Sequence, residues 1–260
     1  IAVGEPLGQF YGYITEGLYQ VDDFNYDAST QTYTLKDGIP YHGDKGQIRP
    51  GMWKFKNLTG DDNVIDENDK TVIGNAQPKF YGGLNNSFTY KGFDLSIFLT
   101  FSYGNEVLNA TKLVTSKVGS LNYNALDVMN SSNRWMTINS DGQKVTDPGE
   151  LAALNVGKTV AAYHDAQQGD NYIHSWAVED ASYLKLSNVT LGYTFPKNLI
   201  ARVGLKNLRL YATGNKLLTW TKYSGFDPEV STMKSGLTPG VDFGAYPLSR
   251  SFIFGLNVAF

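Results

Sequence analysis

The sequence predicts an all-β chain of long antiparallel strands, either the wall of a membrane barrel or a soluble sandwich or jelly roll. Three observations carry this. Apolar and polar residues alternate with a period of two through several long runs, which puts one residue type on each face of a pleated strand. Short turns alternate with long polar connections, the asymmetry of an outer-membrane barrel. And the 260 residues include 17 Tyr, 14 Phe and 27 Gly but only 18% charged residues, below the usual quarter. Rings suit pleated surfaces and glycine suits turns and bulges.

The elements follow in order. Residues 9–20, with Phe10, Gly12, Ile14 and Leu18 in register, read as a Gly-rich strand. Residues 80–90 place Phe80, Gly82, Leu84, Phe88 and Tyr90 on one face, with a lapse at Asn86. Residues 93–103 set Phe93, Leu95, Ile97, Leu99, Phe101 and Tyr103 against Asp94, Ser96, Phe98, Thr100 and Ser102. Lys91-Gly92 separates these two runs, so they form a tight hairpin. In residues 183–195 the apolar register moves from Leu184 and Leu186 to Val189, Leu191, Tyr193 and Phe195. A β-bulge near Ser187-Asn188 repairs that slip. Leu208, Leu210, Ala212 and Gly214 then alternate with Arg209, Tyr211, Thr213 and Asn215. Phe252, Phe254, Leu256, Val258 and Phe260 close the chain on an alternating strand. Residues 21–75, 114–170 and 222–247 are long polar connections, the second with a short helix around 150–163, whereas 91–92 and 196–198 read as short turns.

Composition excludes several classes. With no cysteine there is no disulfide scaffold, thiolate metal site or Cys nucleophile. A net charge of −3 argues against a nucleic-acid partner. No apolar run approaches the roughly 20 residues of a membrane helix, yet a mean hydropathy of −0.29 is also what an alternating barrel wall yields. The start, Ile1-Ala2-Val3-Gly4, has neither an initiating Met nor a basic leader, so the chain reads as processed or as a piece of a longer protein.

Ordered motifs along the whole chain resemble one family. They are residues 3–13 (VGEPLGQFYGY), 16–20 (EGLYQ), 66–75 (DENDKTVIGN), 78–83 (PKFYGG), 90–95 (YKGFDL), 179–186 (EDASYLKL), 189–193 (VTLGY), 225–230 (GFDPEV), Tyr246-Pro247 and the closing strand. In this order and spacing the chain resembles the C-terminal barrel portion of SusC/RagA-type TonB-dependent outer-membrane transporters of Bacteroidetes. The resemblance implies a 22-stranded barrel of which this chain would supply about eight strands, with the plug and TonB box lying elsewhere. It implies import of an oligosaccharide or peptide, a SusD-like surface lipoprotein as lid, and TonB as the energising partner. On that reading Phe93, Leu95, Ile97, Leu99 and Phe101 face lipid, while Asn85, Thr89, Asp94, Thr100, Arg209 and Thr213 line the lumen. Phe252, Phe254, Leu256, Val258 and Phe260 resemble the C-terminal signal read by the barrel-assembly machinery. The rival readings are a soluble carbohydrate-binding β-sandwich and a glycoside hydrolase accessory domain.

Two residue sets carry candidate site chemistry. The acidic loop 57–69 offers Asp61, Asn63, Asp66 and Asp69 as hard oxygen ligands for calcium. The family resemblance suggests Asp-x-Asn-x-Asp-Gly there, but Asn57, Thr59 and Asp62 depart from it and one residue is inserted before Asp66. The alternative is a chain of Asx-turns. Among the loop aromatics, Tyr41, Trp53, Trp135 and Trp176 are candidates for stacking on sugar rings, as are Tyr11, Tyr13, Tyr19 and Tyr33; loop packing or an interfacial girdle is the alternative. Trp220 and Tyr223 fit the girdle. His42, His164 and His174 lack metal spacing and read as surface loop residues. No nucleophile elbow, P-loop or His-Glu-x-x-His occurs, and no enzyme activity is expected.

Overall fold

The computed structural model describes residues 3–60, 62–116, 124–162, 172–233 and 235–260. Asp61 and His164 lie outside the described residues. The chain divides into two compact units: Ile1–Gly8, Asn75–Val107 and Glu179–Phe260 form one, Gln9–Gly74 and Leu108–Val178 the other.

The first unit is built on a five-stranded antiparallel sheet. Its strands are β1 (Phe80–Tyr90), β2 (Phe93–Tyr103), β3 (Tyr183–Thr194), β4 (Asn207–Thr221) and β5 (Ser251–Ala259). Each pairs with its neighbour in sequence. Five long strands form this wall where about eight are anticipated from the resemblance; the other described strands are two to five residues long and lie in separate small sheets.

Local chemistry sets the register. At the β1–β2 turn Lys91 has φ 46° and Gly92 φ 89°, two consecutive positive values as in the turn whose twist suits a two-residue hairpin. Tyr90 therefore stands opposite Phe93. A Cβ on residue 92 would lie 2.7 Å from the Thr194 carbonyl oxygen, so only glycine fits. The expected bulge falls at Ser187: Phe98 pairs with Asn188 and Leu99 with Leu186, leaving Ser187 over. The ladder to β4 shifts at the same place, where Lys216 takes φ 52°. A one-residue slip exchanges the two faces of a strand; the bulge returns Leu184 and Leu186 to the face that carries Val189 and Leu191.

Two connections differ from expectation. Residues 196–198 are not a bare turn. Pro196 precedes the helix α1 (Lys197–Ile200), a 3-10 turn follows over Ala201–Val203, and Gly204 at φ 76° ends it. Residues 9–20 are not one strand but two, Gln9–Gly12 and Thr15–Leu18, in different sheets. Between them Tyr13 leaves the ladder to exchange backbone hydrogen bonds with Ile173 and Ser175.

The second unit is not open loop. Tyr13, Phe55, Ile65, Met129, Trp135, Leu151 and Val160 make a buried core, and Tyr19, Phe24, Leu35, Ile48 and Met52 a second cluster. Short strand pairs hold it: Thr15–Leu18 with Trp53–Phe55, Phe24–Asp27 with Thr32–Leu35, and Tyr41–His42 with Val64–Ile65. The short helix expected around 150–163 starts earlier and is shorter, Pro148–Leu154, with Pro at its first turn and the Asp147 side chain accepting from the Glu150 N–H.

The hairpin yields a test. Lys91→Asn, which suits left-handed backbone better, should stabilise the full-length protein by about 0.5 kcal/mol, and Gly92→Val should destabilise it by about 1–3 kcal/mol. Urea midpoints in detergent measure both; equal midpoints for the two variants would contradict the turn assignment.

Candidate functional site: a two-faced wall

The pairing register collects most apolar residues of the five strands on one face, with Asn86 among them and Phe98 and Ile253 on the other face. Across the sheet run Phe88, Leu95, Leu191, Ala212 and Phe254, and beside them Leu84, Leu99, Leu186 and Leu218. This face is open: Phe88 is 59% exposed, Leu256 57% and Phe254 81%. Soluble monomers rarely expose apolar area on this scale. Aromatic rings edge it at both ends. Near the hairpin the rings of Phe93 and Tyr193 lie 4.6 Å apart; at the opposite end Phe80 stacks on Tyr103 at 5.0 Å, with Trp220 on the same face. From Phe93 to Tyr103 the eleven-residue strand spans roughly 33 Å, which at a tilt of about 40° gives a band about 25 Å tall.

The opposite face is polar and tied together side chain to side chain. Ser96 Oγ donates to Asn85 Oδ1 at 3.2 Å, Asn188 Nδ2 to Asn215 Oδ1 at 2.7 Å, and Asn215 Nδ2 to Ser251 Oγ at 3.1 Å. Thr190 and Thr213 hydroxyls pair at 2.8 Å, as do Thr100 and Ser187 at 2.7 Å. Near the hairpin end Arg209 on β4 grips Asp94 on β2 with two hydrogen bonds, 3.0 and 2.5 Å. The pair reaches across β3 at Gly192, where a Cβ would lie 2.5 Å from both the guanidinium and the carboxylate. The Arg209 guanidinium also sits 5.0 Å from the Tyr211 ring centroid, and that ring lies over Gly255.

Connection length separates the two ends of the sheet. The hairpin end carries residues 91–92 and 195–206; the other end carries 104–182 and 222–250. Near the long-loop end Lys185 is buried on the polar face and ion-pairs with Asp227 at 3.1 Å and with Glu229. Tyr183 donates its hydroxyl to the same Glu229. Burial alone would raise the Glu229 carboxyl, but hydrogen bonds from Lys185 and Tyr183 outweigh it and hold the group below its ordinary range.

Known proteins share this pattern over the whole chain. TonB-dependent receptor P3 of Formosa agariphila is 33% identical over 262 residues, covering 99% of this chain and 22% of that protein. TonB-dependent receptor SusC of Bacteroides thetaiotaomicron is 29% identical over 224 residues, 84% of this chain and 18% of that protein. The chain belongs to the TonB-dependent receptor family. No family model matches it. Among solved structures, the RagAB peptide importer in its open-open state superposes with a TM-score of 0.62 at 20% identity, covering 97% of this chain and 22% of that one. The closed-closed state gives a TM-score of 0.60 at 21% identity. The five-stranded sheet is thus a segment of a transmembrane receptor barrel, and the chain spans about a fifth to a quarter of its relatives' length.

In this receptor segment Phe93, Leu95, Ile97, Leu99 and Phe101 share the apolar face, and Asn85, Thr89, Asp94, Thr100, Arg209 and Thr213 the polar one. Phe252, Phe254, Leu256 and Val258 project to the apolar face of β5, and Phe260 follows the strand's end. The stacking candidates divide. Trp53 and Trp135 are core residues, Trp135 only 1% exposed and seated on Gly51, so neither ring can meet a sugar. Tyr13 and Tyr19 are equally buried. Tyr41 and Trp176 are half-buried, Trp176 with the Lys112 ammonium 4.1 Å over its ring. His174 is buried, not a surface residue: its Nδ1 lies 2.8 Å from Thr15 Oγ1 and its ring between Trp53 and Phe55. Tyr223 is no girdle residue either; it is buried and donates to Asp242 at 2.6 Å.

Among the described residues of the acidic loop, no three acidic or histidine side chains come together as a metal site. Asp69, fully buried, accepts from the N–H groups of Leu58 and Thr59 and the Thr59 hydroxyl at one oxygen, and from the Asp66 N–H at the other. Asp66 accepts from the backbone and side chain of Asn68. The described oxygens of Asp66 and Asp69 accept from protein donors, and Asn63 has φ 57° as a turn residue. Burial works against the Asp69 charge, yet the backbone donors win and hold its carboxyl below the usual range.

The sequence reading missed the Asp94–Arg209 pair and the Lys185 cluster. The signal was available: strands β1–β5 contain only Asp94, Lys185, Arg209 and Lys216 as charged residues, and an isolated charge in a wall needs a partner.

Two outcomes follow. Leu95→Arg or Leu99→Arg should cost about 2–4 kcal/mol of barrel stability, whereas Thr89→Arg, exposed on the polar face opposite Asp94, should cost little; heat-modifiable gel migration of the full-length protein separates them. Asp69→Ala should cost about 3 kcal/mol by stranding buried donors. Because the folded pKa of Asp69 is depressed, its contribution is present above the unfolded value and lost as pH falls below it. Protection factors of residues 57–60 and 62–66, corrected for intrinsic exchange, should therefore fall on acidification in the wild type and stay low at all pH values in the variant.

Proposed function

We propose that the protein carrying this chain imports a large polar nutrient, an oligosaccharide or a peptide, across the outer membrane of a Gram-negative bacterium. Import is energised through TonB, and a SusD-like surface lipoprotein closes the mouth. One observation supports this most: register alone places a predominantly apolar face behind a hydrogen-bonded polar face, which is what a lipid-embedded wall around a wet passage requires. Its relationship to SusC and its likeness to the RagAB peptide importer fit the reading. No covalent step is involved. The wall's task is to exclude lipid, keep the lumen wet and present hydroxyls and amides to a passing solute.

The test uses the intact gene in its own host. Its deletion should abolish growth on one oligosaccharide or peptide source. The wild-type copy should restore growth, and a copy carrying Leu95→Arg together with Leu99→Arg should not. Unimpaired growth of the deletion strain on every such source, or a full-length protein that stays in solution without detergent, would overturn the proposal.

A further inference from the structure

The connection from β4 to β5, residues 222–250, is long, yet it is fastened at several points. Ser224 donates from its N–H and its hydroxyl to Glu179, each at 2.9 Å. Within the connection Tyr223 reaches Asp242, and Val230 packs on a small core of Val107, Ala181 and Tyr223. One fastening is to the polar face itself. Lys185, in register with Thr100 and Thr219 on that face, holds both Asp227 and Glu229. Its side chain is 7% exposed and that of Asp227 14%. Tyr183 donates to Glu229 from the same strand, and the Lys185 ammonium lies 5.1 Å from the Tyr183 ring centroid. Two carboxylates share one ammonium, so the cluster holds together only while Lys185 is in place.

The position of this cluster gives it a role. Lys185 projects from the polar face, which is the inner face of the barrel, and it stands two residues from the strand end that carries the long connections. The segment Asp227-Pro228-Glu229 is therefore held on the inside of the mouth and not folded outward. We propose that Lys185 is a latch that pins the 222–250 loop to the inner wall, and that release of this latch regulates passage at the mouth. The gating half rests on the proposed import function; the latch itself does not. Lys185 is a positioning residue: it acts on passage through the loop.

The test is hydrogen exchange on the full-length protein in proteoliposomes, read on peptides covering 222–232 and 186–194, with nutrient uptake measured in host cells that carry the same variants and their own TonB. Lys185→Met keeps the length and removes the charge. It should raise exchange in 222–232 by about tenfold or more and leave 186–194 unchanged. Lys185→Glu combined with Glu229→Lys should return exchange toward wild type, which a merely space-filling role would not allow. Should Lys185→Met fail to assemble, Asp227→Asn and Glu229→Gln, both on the loop, read the same contact. Wild-type exchange in both loop variants would overturn the latch. Raised exchange with an unchanged uptake rate would overturn the gate. A wild-type protein that takes up no oligosaccharide or peptide would overturn the import function, while exchange still reports on the latch.

Discussion

Everything in the wall depends on one requirement: backbone N–H and C=O groups in hydrocarbon must be paired, because no water is there to take them. Five long strands joined neighbour to neighbour satisfy this inside the sheet. Once the ladders are fixed, side chains have no further choice of face. That is why single residues have large consequences. Ser187 absorbs a parity error that would otherwise turn Leu184 and Leu186 into the lumen and Lys185 out toward lipid. Gly92 lets the β1–β2 turn close without lengthening, so Phe93 and Tyr90 meet at the rim.

The same requirement shapes the polar face. A charge there is partly desolvated and stands beside neighbours that are mostly neutral. Asp94 and Arg209 solve this together, although β3 runs between their strands. They meet only because residue 192 has no side chain to part them. Gly255 serves in a related way, giving the Tyr211 ring a flat bed on the neighbouring strand. Glycines that look like weak strand formers are thus sites where side chains of adjacent strands cross the backbone.

The wall was legible in the sequence because period-two alternation is a local property. The hairpin, the bulge and the face assignment of Leu95 or Thr100 need no knowledge of distant residues. The connections were not legible for the opposite reason. Trp135 became a core residue because Gly51, eighty-four positions earlier, leaves room for its ring. His174 is buried by Thr15, Trp53 and Phe55, all more than a hundred residues away. Asp69 has the composition of a metal ligand, but the donors of residues 58, 59 and 66 curl around it. Residue type told which atoms were available, and only the fold told which atoms they would meet.

Long connections that fold around their own aromatic core change what such loops can do. Closing a long loop costs only slightly more than closing a short one, so length itself is little obstacle, and a core then offsets the ordering entropy of the added residues. The rings of Tyr13, Phe55, Trp53 and His174 are spent on that core, packed 5.1 to 5.3 Å apart. They are unavailable for stacking on a solute. What they provide is a rigid body in place of a tether, and a rigid body presents its surface in one arrangement. Of the loop aromatics first considered for stacking, Tyr13, Tyr19, Trp53 and Trp135 are thus spent inside these cores, while Tyr41 and Trp176 stay half-buried at their surface.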